Sequence, residues 1–185
     1  MRRKIITIAG SPGSGKSSTA KALAAALRYS HYSSGDLFRQ LAAQRHESIE
    51  AINIAAEIRR DIDLDVDNLL KEMYRSQDKI VIDSRMAWHW MPESFKVYLL
   101  LDLDTAALRI FSHLQKDGRL SEDASSVQEA RRSIQRRFES EQRRYKSLYG
   151  VDFTNPENFD IILNTKESSL DNIVAMLKAS YKACS

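Results

Sequence analysis

Residues 10–17 read Gly-Ser-Pro-Gly-Ser-Gly-Lys-Ser, and their spacing suits the grip of a polyanion. Glycines at Gly10, Gly13 and Gly15 permit a tight turn whose backbone N–H groups point inward. The apolar run 5–9 precedes the turn, and an Ala-rich stretch with Leu23 and Leu27 one helical turn apart follows it. A strand, a glycine-rich loop and a helix in that order place the unpaired amides and the positive end of the helix dipole against a phosphate. In this P-loop arrangement Lys16 reaches the β- and γ-phosphates of a nucleoside triphosphate and the Ser17 hydroxyl faces Mg²⁺. Ser11, Pro12, Ser14 and Ser18 complete the expected ATP cradle. An ordinary glycine-rich turn is the bland alternative, and the flanking strand and helix argue against it.

Asp83 ends the apolar run 80–82. A carboxylate at the C-terminal end of a buried strand beside the loop can share a Mg²⁺ with Ser17. The alternative is a solvated turn aspartate.

A third cluster lies on 127–149, which has the periodicity of a long amphipathic helix. Ile134, Phe138, Tyr145, Leu148 and Tyr149 fall on one stripe, with Glu141 inside it. Arg137 and Arg144 follow one edge of that stripe. Arg132, Arg136, Glu139 and Arg143 point to the opposite side as a solvated face. A carboxylate on a core-facing stripe needs a partner. An Arg–Glu network that only holds the helix in place is the structural alternative. Stacking aromatics do not alternate with these arginines, so a nucleic-acid partner is not expected.

These residues need a scaffold. The runs 5–9, 80–82, 97–103 and 161–163 read as parallel strands apolar on both faces, with 29–32 a weaker fifth. Helical patterns cover 17–28, 37–60, 69–75, 106–114, 127–149 and 170–181. The alternation predicts an α/β fold of three layers, α/β/α, around a five-stranded parallel sheet. Two stretches exceed a simple crossover, 34–77 and 112–127, and such insertions serve as binding elements or lids. The 185 residues suit one domain, with 43% hydrophobic and 29% charged residues. No run of 18 apolar residues occurs, so a membrane span is not expected. Cys184 is the single cysteine, so an intrachain disulfide is excluded and a cytoplasmic location is expected. A monomer is expected. The net charge of +3 fits an anionic partner, and a small nucleotide suffices. His31, His46, His89 and His113 lack metal-ligand spacing and read as structural or exposed. Trp88 and Trp90 read either as packing before Pro92 or as neighbours of a second substrate.

A guanine-specific Asn-Lys-x-Asp motif is absent, and the segments SSGDLFRQLA, DSRMAWHWM, RRFESEQRRYKSLYGVDF and FDIILNT decide between the remaining P-loop classes. Together with the P-loop they resemble the nucleoside monophosphate kinases, closest to the cytidylate kinase family in its compact archaeal-type form, over nearly the whole chain. The resemblance implies phosphoryl transfer from ATP, with Mg²⁺, to CMP or dCMP. It places Ser34 and Gly35 at the acceptor nucleotide, Arg39 on its phosphate, Arg85 on phosphate or base, and Arg137, Glu141 and Arg144 at the acceptor and the transferring group. Lys116 or Arg119 could serve as lid cations. The chain departs from the family at Met86, where the bacterial enzymes carry Asp, and at Lys16, where many archaeal-type relatives carry Thr. Another nucleotide or small-molecule kinase, or a regulatory ATPase acting on a macromolecule, remains open at this level.

Overall fold

A computed structural model describes residues 4–47, 60–116 and 126–184. Five strands form one parallel sheet: β1 (Ile5–Gly10), β2 (Ser30–Ser33), β3 (Ile80–Asp83), β4 (Phe95–Leu100) and β5 (Ile161–Asn164). Their order across the sheet is β2-β3-β1-β4-β5. The seven helices among the described residues are α1 (Lys16–Leu27), α2 (Ser34–Arg45), α3 (Arg60–Ser76), α4 (Ala87–Trp90), α5 (Leu103–Lys116), α6 (Val127–Tyr149) and α7 (Leu170–Cys184).

The residues of β1 alternate between two helical layers. Ile6 and Ile8 pack with Leu23 of α1 and Leu177 of α7 on one face. Ile5 packs with Leu37 of α2 and Ile62 and Leu70 of α3 on the other. β1 is buried along its whole length, as expected of a central parallel strand. Each fully buried aliphatic side chain contributes about 2 kcal/mol of apolar transfer.

The expectation of uniform burial fails at 161–163. β5 is an edge strand with alternating exposure, and Ile162 is exposed. The strand expected over 97–103 runs from Phe95 to Leu100 instead, and Leu103 already begins α5. That helix continues to Lys116, so the first part of the expected lid is an extension of α5. Residues 117–125 of the expected lid, Arg119 among them, lie outside the described residues, as does 48–59 of the expected acceptor segment, while Ser126 and Val127 open α6. The boundaries of α6 match the expected 127–149.

The order of the strands creates the site. The chain leaves β1 toward β3 and β2, and leaves β4 toward β5. The crevice between β1 and β4 at their C-terminal ends is thus the topological switch point, where open α/β sheets bind ligands. Gly10 pairs with Leu99 there.

Candidate active site

The loop after β1 is shaped by its glycines. Gly13 and Gly15 have φ of +68° and +83°, in the left-handed region that favours glycine. Gly15 is the N-cap of α1 and no side chain caps the helix, so its first amides keep their free direction. A Cβ on Gly13 would sit 3.1 Å from the Ala106 Cα of α5, so the loop lies against that helix. Lys16 Nζ crosses the loop and donates to the carbonyls of Gly10 (3.1 Å) and Ser11 (2.8 Å). Ser11 serves the scaffold: its N–H donates to Leu99 O at 2.9 Å and its Oγ accepts from Leu101 N at 3.2 Å. The Ser14 hydroxyl is buried and has no hydrogen-bond partner among the described residues. Ser18 is exposed in the first turn of α1.

Asp83 stands beside the loop because β3 pairs with β1 in the register Ile8 to Asp83. The Ser17 Oγ donates to Asp83 Oδ2 at 2.5 Å. The other oxygen, Oδ1, is 2.7 Å from His31 Nε2 of β2. His31 read from the sequence as merely structural or exposed. The structure instead makes it a direct neighbour of the acidic residue in the loop's vicinity. A histidine on one strand and an aspartate ending the next gave no local signal.

Opposite the loop, Ser33 caps α2. Its Oγ accepts from Asp36 N, and the Asp36 carboxylate takes the Ser33 N–H at 2.8 Å, a reciprocal capping box. Asp36 also pairs with Arg39 one turn on, holding that half-exposed guanidinium at the cleft. Gly35 lines the cleft beside Arg39. Ser34 opens α2, and its side chain is outside the described set.

Arg85 follows β3 and is largely buried. It pairs with Glu141 of α6 and lies 5.8 Å and 5.9 Å from the ring centres of Phe138 and Phe153. Glu141 Oε1 also accepts from Arg137 Nε at 3.2 Å. The carboxylate on the apolar stripe therefore finds two cations. Arg144 Nε is 2.9 Å from Asp63 Oδ2 of α3. The residues Arg132, Arg136, Glu139 and Arg143 face solvent as expected. Arg137 is also largely exposed, 77% by side chain, yet it borders the cleft with Arg144.

Lys16, Ser17, Asp83, Arg39, Arg85, Arg137, Glu141 and Arg144 line one cleft of about 960 Å³. The P-loop residues Lys16 and Ser17 share this cleft with the guanidinium groups of Arg39, Arg85, Arg137 and Arg144. Burial pushes the Lys16 ammonium down to about 7, Arg85 and Arg137 push it the same way, and Asp83 offsets them in part. Mutually repelling cations in one cleft favour an anion between them.

Two cleft residues escaped the sequence reading. Asp63 and Asp67 sit one turn apart on α3, nearly buried, within the alternating stretch Asp61-Ile62-Asp63-Leu64-Asp65-Val66-Asp67. Burial lifts Asp63 to about 6 against the pull of Arg144, and Asp67 adds to the rise. Asp67 is raised too, chiefly by burial, and accepts from Trp90 Nε1 at 2.7 Å and from the Tyr149 hydroxyl. A helical wheel of 60–76 puts both carboxylates next to the stripe of Ile62, Val66 and Leu70, the signal that could have found them. Trp88 packs with Ala9, Met86, Tyr98 and Phe153, with Trp90 at the edge of that cluster. Trp88 donates to the Arg85 carbonyl at 2.8 Å and steadies the start of the arginine's segment.

Among the described residues no three His, Cys, Asp or Glu converge as a metal cage, and no helix is long and apolar enough to cross a membrane.

Comparison with known proteins gives the chain a family and a fold. The model of the cytidylate kinase-like family matches residues 5–167. A protein named cytidylate kinase from Haloarcula marismortui is 37% identical over 164 residues, covering 87% of this chain and 80% of that one. One of the same name from Methanopyrus kandleri is 35% identical over 184 residues, covering 95% and 92%. Among solved structures, an uncharacterized protein from Eubacterium ventriosum superimposes with a TM-score of 0.73 at 19% identity, covering 98% and 99%. A shikimate kinase from Bacteroides thetaiotaomicron follows at 0.67 and 15%, covering 96% and 98%. At these identities the two structures speak for the fold alone.

Proposed function

The chain belongs to the cytidylate kinase-like family, and on that premise we propose that it transfers the γ-phosphoryl group of ATP to a pyrimidine nucleoside monophosphate, CMP or dCMP. The observation that carries this reading is the pairing within one cleft of a P-loop with four arginines, Arg39, Arg85, Arg137 and Arg144. A triphosphate at the loop and a monophosphate among the arginines would face each other.

The loop amides and Lys16 hold the donor phosphates. The four arginines hold the acceptor phosphate and offset the charge that develops between the two. Little covalent work falls to the protein, so positioning and charge neutralisation dominate. The acceptor phosphate is already an anion and needs no general base. Glu141 keeps Arg85 and Arg137 aimed into the cleft, and Asp63 does so for Arg144.

Mg²⁺ fits this donor set in one way. Ser17 and Asp83 supply a hydroxyl and a carboxylate, hard oxygen ligands, and too few of them for an all-protein cage. Mg²⁺ is commonly held by one or two protein oxygens plus the phosphates of its nucleotide. When bound, it would neutralise charge on the donor phosphates.

An ADP-release assay across CMP, dCMP, UMP, AMP and GMP tests the reading. Turnover should require CMP or dCMP, and Lys16→Ala should lower it about 10²–10³-fold or more, as for other preorganised donors to transition-state charge. Equal ADP release with no monophosphate present would overturn the kinase reading in favour of an ATPase.

A further inference from the structure

The bond between His31 and Asp83 has no role in the transfer described so far. We infer that His31 is a positioning residue for the donor nucleotide: by fixing Asp83 Oδ1 it keeps Oδ2 on the Ser17 hydroxyl, so that this hydroxyl turns its lone pairs toward Mg²⁺-ATP.

The chain of contacts is His31 Nε2 to Asp83 Oδ1 (2.7 Å), then Asp83 Oδ2 to Ser17 Oγ (2.5 Å). A carboxylate only accepts, so Nε2 carries the hydrogen and donates it. A serine hydroxyl has one hydrogen and two lone pairs. With its hydrogen committed to Asp83, Ser17 can present only lone pairs elsewhere, and those are what a hard cation requires. The terminal torsion of a carboxylate is broad, and the bond from His31 to Oδ1 narrows it.

The anchor is rigid. His31 comes from the sheet and not from the loop, and β2 pairs with β3 in the register His31 to Val81 and Ser33 to Asp83. The backbone ladder sets the height of the imidazole against the carboxylate. The His31 side chain is 23% exposed and that of Asp83 6%, so the bond is shielded from water at the carboxylate end. A histidine serving only to tie down the edge strand would be redundant with that ladder. It would also have no reason to meet the one carboxylate shared with the P-loop serine. Partners of this kind behind metal ligands are worth about 10–100-fold in metal affinity or activity.

This inference rests on the ATP and Mg²⁺ reading above, and calorimetric ATP binding with and without Mg²⁺, no acceptor present, tests it apart from the acceptor's identity. His31→Leu removes the donor, His31→Asn shortens it out of reach, and His31→Gln restores an N–H near the Nε2 position. In the first two, the tightening of ATP by Mg²⁺ should shrink about tenfold or more. Mg²⁺-free ATP affinity should stay within about twofold and the KM for the acceptor should hold. His31→Gln should recover the increment to within about threefold of wild type. A full Mg²⁺ increment in both His31→Leu and His31→Asn overturns this inference alone. So does an equal loss of ATP affinity with and without Mg²⁺ in all three variants, which is the mark of a structural role. A wild-type protein whose ATP affinity ignores Mg²⁺ overturns the donor-site reading and this inference with it.

Discussion

Lys16 shows how one residue can be mispriced by its surroundings until a ligand arrives. The ordinary lysine value of 10.5 falls to about 7 because the ammonium is desolvated and faces Arg85 and Arg137. A bound triphosphate supplies the negative charge that restores its affinity for the proton. If ATP binds here as proposed, binding should draw a proton in above pH 7, and by linkage ATP affinity should fall as pH rises from about 7, by up to tenfold per unit. Calorimetry at pH 8.5 in two buffers of different ionisation enthalpy should report uptake approaching one proton. Lys16→Met should abolish that uptake, and its persistence in the variant would assign the proton to another group.

At the scale of elements, the arginine-lined wall of the cleft depends on how α3, α4 and α6 are tied. Asp67 of α3 receives Trp90 from α4 and Tyr149 from α6, and Asp63 receives Arg144 from α6. The second tie links two helices far apart in the chain through side chains that also border the cleft. Tyr149→Phe removes a donor from a nearly buried carboxylate, a loss of about 1–3 kcal/mol. Thermal unfolding should drop by roughly 2–4 °C per kcal/mol for a chain of this size. The same substitution should raise the acceptor's KM more than that of ATP, because α6 carries Arg137 and Arg144 but nothing of the P-loop. Equal changes in the two constants would show that the tie serves stability alone.

For the molecule as a whole, the switch point is where scaffold and chemistry meet. A Cβ on Gly10 would lie 2.3 Å from the Leu99 carbonyl oxygen, and its φ of +150° is one that other residues rarely adopt. Gly10→Ala must push β1 away from β4 or distort the loop, at a cost of at least about 2 kcal/mol. Gly15 also has positive φ, but a Cβ there meets nothing within 4 Å. Gly15→Ala should cost only the backbone strain, roughly 1 kcal/mol. Chemical denaturation of the two variants should rank them in that order. A Gly10→Ala protein as stable as wild type would mean the β1–β4 crevice yields more easily than its packing indicates.

The sequence by itself determined whatever local spacing could encode. The P-loop is eight consecutive residues between a strand and a helix, and the stripe of α6 is a wheel repeated over six turns, so both were readable without neighbours. The edge placement of β5 was not readable, because a strand's own residues do not say how many partners it has. Nor was the bond from His31 to Asp83, which exists only because β2 and β3 align side by side in one register. The pairings of Arg85 with Glu141 and Arg144 with Asp63 likewise depend on the docking of α6 across the sheet's end. A single buried charge signals that a partner is needed. Which residue answers is decided by the packing of elements, where a shift of one helical turn would bring a different side chain to face it.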